Sequence, residues 1–92
     1  MSELAHVEAK IQGEVQGVFF RAFTSRIAKK LNLRGFVHNL PNGSVEVIAE
    51  GPKDNLEIFV QQLHSGPPEA LVENITAKWS DFSGQYVTFE IR

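Results

Sequence analysis

Residues 7–32 read VEAKIQGEVQGVFFRAFTSRIAKKLN and contain three local patterns in direct succession. Apolar and polar side chains alternate over residues 7–11, which predicts a half-buried strand. Apolar residues then recur four positions apart from Phe23 onward, which predicts a helix over residues 22–32. The glycine-bearing run between them, residues 13–20, is the predicted loop. A strand that passes through a short loop into a helix predicts helices layered on a sheet.

The rest of the chain carries the same two periodicities, separated by turn signals. We predict two strands, over residues 36–40 and 44–50, joined by the turn Pro41-Asn42-Gly43. A second helix is predicted to open at Gly51-Pro52 and to bury the apolar stripe Leu56, Phe59, Val60 and Leu63. Two further strands are predicted over residues 75–79 and 87–91. The order is βαββαβ with a short extra C-terminal strand, which is the ferredoxin-like α/β sandwich of the α+β class. We therefore expect an antiparallel sheet with its first strand central and two helices on one face.

Length and composition limit the kind of protein that this chain can be. Its 92 residues are enough for one domain over residues 1–92 and too few for two. The net charge of −2 argues against general binding to nucleic acid or to a membrane surface. No cysteine is present, which excludes disulfides, thiolate metal sites and a cysteine nucleophile. The chain has no signal-peptide pattern and no apolar run of membrane-spanning length, so we expect a cytoplasmic protein.

The loop and the first helical turn, GEVQGVFFR at residues 13–21, carry the predicted chemistry. A glycine-bearing turn leaves main-chain N–H groups free, and the start of a helix adds the positive end of its dipole. Arg21 adds a permanent cation that can donate paired hydrogen bonds to an oxyanion. Together these features predict a pocket for a small dianion such as a phosphoryl group, with neither a metal nor a nucleophilic side chain required.

Two segments together resemble the acylphosphatase family. Residues 13–21 fill its first motif, Gly-x-Val-Gln-Gly-Val-x-Phe-Arg. Residues 35–45 fill its second, which has Gly-aromatic-Val-x-Asn, a turn that ends in glycine, and a valine strand. The tail GPPEALVENI, residues 66–75, is also similar to the family. The chain departs from the family at Phe36, which is often tryptophan, and at Leu40, which is threonine in some members and can alter hydrogen bonding beside the site.

The resemblance implies hydrolysis of acyl phosphates to a carboxylate and inorganic phosphate. It implies that Arg21 binds the phosphoryl oxygens and that Asn39 orients the attacking water. The remaining phosphate contacts would come from the main-chain N–H groups of Gln16, Gly17, Val18, Phe19 and Phe20. We hypothesise that a phosphoryl oxygen of the substrate takes the proton from water, because phosphoryl transfer is loose and none of the residues that define the two motifs is an Asp, Glu or His.

Several partner and cofactor expectations accompany this function. We expect no cofactor and no metal ion. The expected partners are a small-molecule acyl phosphate and, as product-like ligands, inorganic phosphate or sulfate. We also expect a monomer that binds neither nucleic acid nor a membrane.

Plainer interpretations of individual residues remain open. On spacing alone, Asn39 is better explained as a cap of the turn that follows it, and only the family match favours a catalytic role. Strand alternation predicts that His38 points to the opposite face. Phe19 and Phe20 are predicted to pack in the interior, unless one of them edges the pocket. Glu46, Glu50 and Asp81 are predicted to be solvated charges. Trp79 is predicted to pack in the core or on a face of the sheet rather than to stack on a ligand.

Two other kinds of function remain open at this level. A non-catalytic ferredoxin-like module could bind RNA across its sheet, or a small ligand or protein partner at its edges. Similar domains also stand at the front of larger carbamoyl-transfer proteins, and a chain that ends after the domain favours a free-standing enzyme. Turnover of benzoyl phosphate in the presence of a chelator, with competitive inhibition by phosphate, separates an enzyme from a binding module.

Overall fold

Five strands and two helices form within residues 3–92, the part of the chain that the computed structural model describes. In chain order they are β1 (Leu4–Glu14), α1 (Phe20–Lys30), β2 (Arg34–Asn39), β3 (Val45–Pro52), α2 (Lys53–Ser65), β4 (Leu71–Asp81) and β5 (Phe89–Ile91). The predicted order βαββαβ with a short extra C-terminal strand is therefore confirmed.

The five strands form one sheet with the order β4-β1-β3-β2-β5. β1 pairs with β3 and β4, and β2 pairs with β3, all antiparallel, whereas β5 pairs with β2 in parallel. The predicted antiparallel sheet is therefore wrong at one edge, and the sheet is mixed. The reason is the path of residues 82–88, which leave β4 at one edge, cross the open face against β3 and β2, and enter the far edge in the direction of β2. β1 is interior, as expected, although β3 takes the middle position.

The alternation of apolar residues along the interior strands decides which face the helices cover. The residues on this face of β1 and β3 lie opposite one another and are fully buried, namely Val7, Ala9, Ile11, Val45, Val47 and Ala49. Apolar residues of both helices complete the core, namely Phe20, Ile27 and Ala28 of α1 and Leu56, Phe59 and Leu63 of α2. Both helices thus pack on one face, as predicted. Burial of each large apolar side chain contributes about 1.5–3 kcal/mol to stability.

The end of α1 is defined by a left-handed residue. The helix ends at Lys30, and Asn32 lies just beyond it with a φ of 58°. The N–H of Asn32 donates to the carbonyl oxygen of Lys29 at 3.2 Å, and the N–H of Leu33 donates to that of Ala28 at 2.8 Å. These two bonds satisfy carbonyl oxygens that the helix leaves unpaired. The observed helix is displaced slightly toward the N-terminus of the predicted one.

The start of α2 differs from the prediction. Gly51 and Pro52 lie at the end of β3, where they pair with Ala5 and Leu4 of β1. They therefore do not open the helix, which begins at Lys53 with Pro52 as its N-cap. Pro52 has a φ of −59° and a ψ of 132°, so its backbone is still extended. Continued pairing with β1 holds both residues in the sheet.

Three further expectations change in the folded chain. β5 is shorter than the predicted strand over residues 87–91, and Val87 is 86% exposed. Trp79 is 42% exposed on the edge strand β4, so of its two predicted positions, the core and the sheet face, the core is wrong. Glu50 is 1% exposed rather than solvated, because residues 83 and 84 close over it.

Candidate active site

A cavity of about 320 Å³ opens where the loop between β1 and α1 meets the end of β2. Its polar lining comes from Arg21 in the first turn of α1, Asn39 at the end of β2, and the main chain of Gly17. Its apolar lining comes from Val15, Phe19, Phe20, Ala22 and Ile91. The fold therefore brings both predicted catalytic side chains to the same cavity as three of the five residues whose main-chain N–H groups are predicted to bind phosphate.

The main chain of the β1–α1 loop, residues 15–19, leaves donors free. Gly17 and Phe19 have left-handed backbones, with φ of 73° and 63°. Left-handed residues in such a loop turn successive N–H groups toward a common side, as in anion-binding nests. Within residues 3–92, the N–H groups of residues 16–20 make no hydrogen bond. Because they also precede or begin α1, these groups can receive an oxyanion at the positive end of the helix dipole.

The side chain of Gln16 fastens this loop to the turn between β2 and β3. Its Nε2 donates hydrogen bonds of 2.8 Å to the main-chain oxygens of Leu40 and Ser44. The sequence predicts only a main-chain role for Gln16, because these partners lie 24 and 28 residues further along the chain. Gln16 and Val18 belong to the loop but do not line the cavity.

Arg21 is an exposed residue of the first turn of α1. Its Nη1 donates a hydrogen bond of 3.2 Å to the main-chain oxygen of Arg92. Among the described residues, this is the one hydrogen bond of the guanidinium, which leaves its other N–H donors available for a ligand. The helix dipole adds to the attraction of Arg21 for an anion.

Asn39 lines the cavity and carries an unsatisfied acceptor. It lies opposite Val45 in the sheet, on the face that the helices cover. Its Oδ1 is buried and has no hydrogen-bond partner within residues 3–92. The turn after β2 is instead closed by Asn42, whose Oδ1 accepts from the N–H of Ser44 at 3.0 Å and from its hydroxyl at 2.6 Å. An unpaired buried acceptor is unfavourable, and at a cavity it can be satisfied by a water molecule or a ligand.

The neighbours of these residues differ in where they point. His38 lies on the open face, with Nε2 at 2.7 Å from Oε1 of Glu46, which confirms that it faces away from Asn39. Phe20 is 1% exposed and packs in the core, as predicted. Both phenylalanines line the cavity, but Phe19 is 76% exposed, so it does not pack in the interior and is the one whose ring is open to solvent at the pocket.

A second polar cluster surrounds Glu50 on the open face of the sheet. Its Oε2 lies 2.6 Å from Nδ1 of His6 and accepts hydrogen bonds from the N–H and hydroxyl of Ser83 at 2.9 and 2.7 Å. Its Oε1 accepts from the N–H of Gly84 at 3.0 Å. Burial disfavours the charged carboxylate, but these hydrogen bonds outweigh it and lower the pKa of Glu50 below its ordinary value. The cluster ties residues 82–88 to the sheet, outside the cavity.

Two other properties concern metals and membranes. Within residues 3–92, no group of three or more histidine, cysteine, aspartate or glutamate side chains is arranged to hold a metal ion. Neither of the two helices described has the length and apolar character needed to cross a membrane.

Comparisons with known proteins agree on one family. A family model described as Acylphosphatase matches residues 7–91. An acylphosphatase of Dehalococcoides mccartyi is 47% identical over 87 residues, which cover 94% of this chain and 96% of that protein. An acylphosphatase of Salinibacter ruber is 45% identical over 86 residues, which cover 94% of this chain and 90% of that protein.

Solved structures give the same result for the fold. The crystal structure of acylphosphatase from Bacillus subtilis superposes with a TM-score of 0.93 at 35% identity, over 96% of this chain and 98% of that one. A crystal structure of full-length HypF superposes with a TM-score of 0.85 at 27% identity, over 100% of this chain but 12% of that one.

Proposed function

Since this chain belongs to the acylphosphatase family and hydrolyses acyl phosphates, we propose that the cavity between the β1–α1 loop and Asn39 is the place where it does so. The single observation that carries the proposal is that Asn39, whose Oδ1 is buried and unpaired among the described residues, lines the same cavity as Arg21. The comparisons do not favour the alternative of a non-catalytic binding module.

The phosphoryl group binds between the loop and Arg21. The free N–H groups of residues 16–20 and the guanidinium donate hydrogen bonds to the phosphoryl oxygens. Charge on these oxygens shifts during transfer, and donors that are already in place stabilise it without reorganisation. This assigns phosphate binding to Arg21 and to the main chain of Gln16, Gly17, Val18, Phe19 and Phe20.

Asn39 positions the water molecule that attacks. Its Oδ1 accepts a hydrogen bond from that water and directs a lone pair of the water oxygen toward phosphorus. The new bond joins the water oxygen to phosphorus, and the bond from phosphorus to the bridging acyl oxygen breaks. The electron pair of that bond stays with the leaving carboxylate, and one water proton passes to a phosphoryl oxygen. The products are a carboxylate and diprotonated inorganic phosphate, which afterwards releases a proton to solvent as the pH requires. The step uses neither a metal ion nor an enzyme base.

Hydrolysis of benzoyl phosphate in the presence of excess chelator tests this proposal. We expect turnover to persist and inorganic phosphate to inhibit it competitively, because product phosphate occupies the same donors as the substrate. Loss of turnover on chelation with recovery on addition of a divalent metal would contradict the metal-free mechanism. Non-competitive inhibition by phosphate would contradict the shared site.

The biological setting of the reaction is part of the proposal. Residues 1–92 act as one domain, and the protein works as a cytoplasmic monomer that takes a small acyl phosphate and does not bind nucleic acid. The net charge of −2 and the absence of cysteine support this assignment. Sedimentation at micromolar concentration, with and without phosphate, checks the monomer.

A further inference from the structure

The cavity has an apolar side that the phosphoryl chemistry does not use. Phe19 and Ile91 line it from the loop and from β5, and they are 76% and 50% exposed. Val15 and Ala22 lie on the same lining. An aromatic ring with this much exposure, at the mouth of a cavity rather than scattered on the surface, is typical of a ligand contact.

Phe19 is also held in an unfavourable backbone conformation. It is the N-cap of α1 with a φ of 63° and a ψ of 21°, a region that bulky residues seldom occupy. Such conformations concentrate at functional sites, where they fix the direction of a side chain. The same residue thus contributes an N–H to the phosphate-binding loop and a ring to the wall beside it.

The position of this wall relates it to one part of the substrate. In an acyl phosphate, the acyl carbon is separated from phosphorus by a single bridging oxygen. When the phosphoryl group contacts the N–H groups of residues 16–20, the acyl group must leave the loop through the remaining cavity. About 320 Å³ is more space than a phosphoryl group alone requires, and it falls at the small end of ligand pockets.

We propose that Phe19 and Ile91 form an acyl-binding wall that makes the enzyme prefer acyl phosphates with an aromatic or branched apolar acyl group over acetyl phosphate. This inference rests on the proposed function of the cavity. Arg21 is the one charged side chain among the described residues that line the cavity, and it is assigned to the phosphoryl group. A charged acyl group would therefore meet an apolar wall without a matching partner, and the wall disfavours it.

The test is the ratio of kcat/KM for benzoyl phosphate to that for acetyl phosphate. Phe19→Asn removes the ring while asparagine tolerates the left-handed backbone, and Phe19→Leu keeps an apolar side chain. We expect Phe19→Asn to lower the ratio about tenfold, because it loses the whole of one aromatic contact. Phe19→Leu should lower the ratio about threefold or less, because it loses only part of that contact. Ile91→Ala should lower the ratio about threefold.

Matched controls remove similar side chains that lie away from the cavity. Phe82 is 40% exposed and Ile58 on α2 is 42% exposed, and neither lines the cavity. Phe82→Ala and Ile58→Ala should keep the wild-type ratio. For Ile91→Ala, the inhibition constant of inorganic phosphate should also stay within about twofold, because phosphate has no acyl group to contact the wall.

The outcomes separate this inference from the proposed function. If the wild-type protein hydrolyses neither substrate, the proposed function fails. If it hydrolyses both, but Phe19→Asn and Ile91→Ala leave the ratio unchanged, the acyl-binding wall is wrong and the function stands. The inhibition constant of phosphate for Ile91→Ala could also rise by the same factor by which its kcat/KM for benzoyl phosphate falls. That result would overturn the proposal of an acyl-binding wall, because the residue would then act through the phosphate site.

Discussion

The side-chain nitrogen Nε2 of Gln16 lies 2.8 Å from the main-chain oxygen of Leu40, the residue that follows Asn39. A second bond of the same length reaches the main-chain oxygen of Ser44. One side-chain amide thus connects the loop proposed to bind phosphate to the end of the strand that holds Asn39, the residue proposed to position water. We therefore expect the relative position of the two parts of the proposed site to depend on this amide.

Replacing Gln16 with leucine should weaken both folding and catalysis. The change removes two side-chain hydrogen bonds, each typically worth about 0.5–1.5 kcal/mol, although each carbonyl oxygen keeps one main-chain donor. We expect a lower midpoint in urea denaturation and a lower kcat at temperatures where the variant is folded. Gln61→Leu, on the exposed side of α2, is the matched control and should change neither. A fully active Gln16→Leu protein would show that the coupling is not needed.

Substitutions of Arg21 test the phosphate contact. Lysine cannot reproduce the planar pair of donors of a guanidinium, so Arg21→Lys should lose most activity and Arg21→Ala nearly all of it. A loss on the order of 10²–10³ in kcat is typical for one preorganised donor. The phosphate inhibition constant should rise in both variants. Arg26→Lys, an exposed residue one turn further along α1, serves as the control. Unchanged phosphate inhibition in Arg21→Ala would remove Arg21 from the site.

Asn39→Ala should separate catalysis from stability. Because its Oδ1 has no partner among the described residues, its removal should leave the free energy of unfolding within about 0.5 kcal/mol of wild type. The kcat should fall on the order of 10²–10³ while KM changes little, since the side chain is proposed to contact the attacking water rather than the substrate. Urea denaturation and steady-state kinetics check both expectations. Near-full turnover in folded Asn39→Ala would refute the assigned role. Asn74→Ala on β4 is the control for loss of a side-chain amide, and it should keep the wild-type kcat.

Glu50 should make the protein sensitive to acid. Its pKa is lowered in the folded state: burial opposes the charge, but the hydrogen bonds from His6, Ser83 and Gly84 outweigh it. A carboxyl with a lowered folded pKa contributes stability above its unfolded pKa of about 4.3, and this is lost as the pH falls through the folded pKa. Glu50→Gln should therefore be less stable at pH 7 and should lose less stability on acidification. Urea denaturation from pH 7 to pH 2 measures this.

The control for the acid prediction is Glu57→Gln, an exposed glutamate of α2. It should follow the wild-type dependence of stability on pH. If Glu50→Gln also follows the wild-type curve, the carboxylate of Glu50 does not hold residues 82–88 in place, and another group causes any acid sensitivity.

The sequence predicts the features of the fold that depend on neighbouring residues. The alternation in β1 and the spacing of apolar residues in α2 identify the core directly, because each pattern repeats within one element. Strand alternation also separates His38 from Asn39. The parallel pairing of β5, the burial of Glu50 and the partners of Gln16 depend on where distant segments meet, and no local pattern encodes that. Each of them follows from the path of residues 82–88 or from the β2–β3 turn.

The parallel pairing of β5 with β2 also links the edge of the sheet to the cavity. The N–H of Gly35 bonds to the oxygen of Thr88, and the N–H of Arg92 bonds to the oxygen of Val37. Arg92 in turn accepts the hydrogen bond of Arg21. A transient local opening of this short strand would therefore release the guanidinium and one wall of the cavity together. The rates of hydrogen–deuterium exchange at the Gly35 and Arg92 amides would then report how often the proposed catalytic cleft opens, without any substrate present.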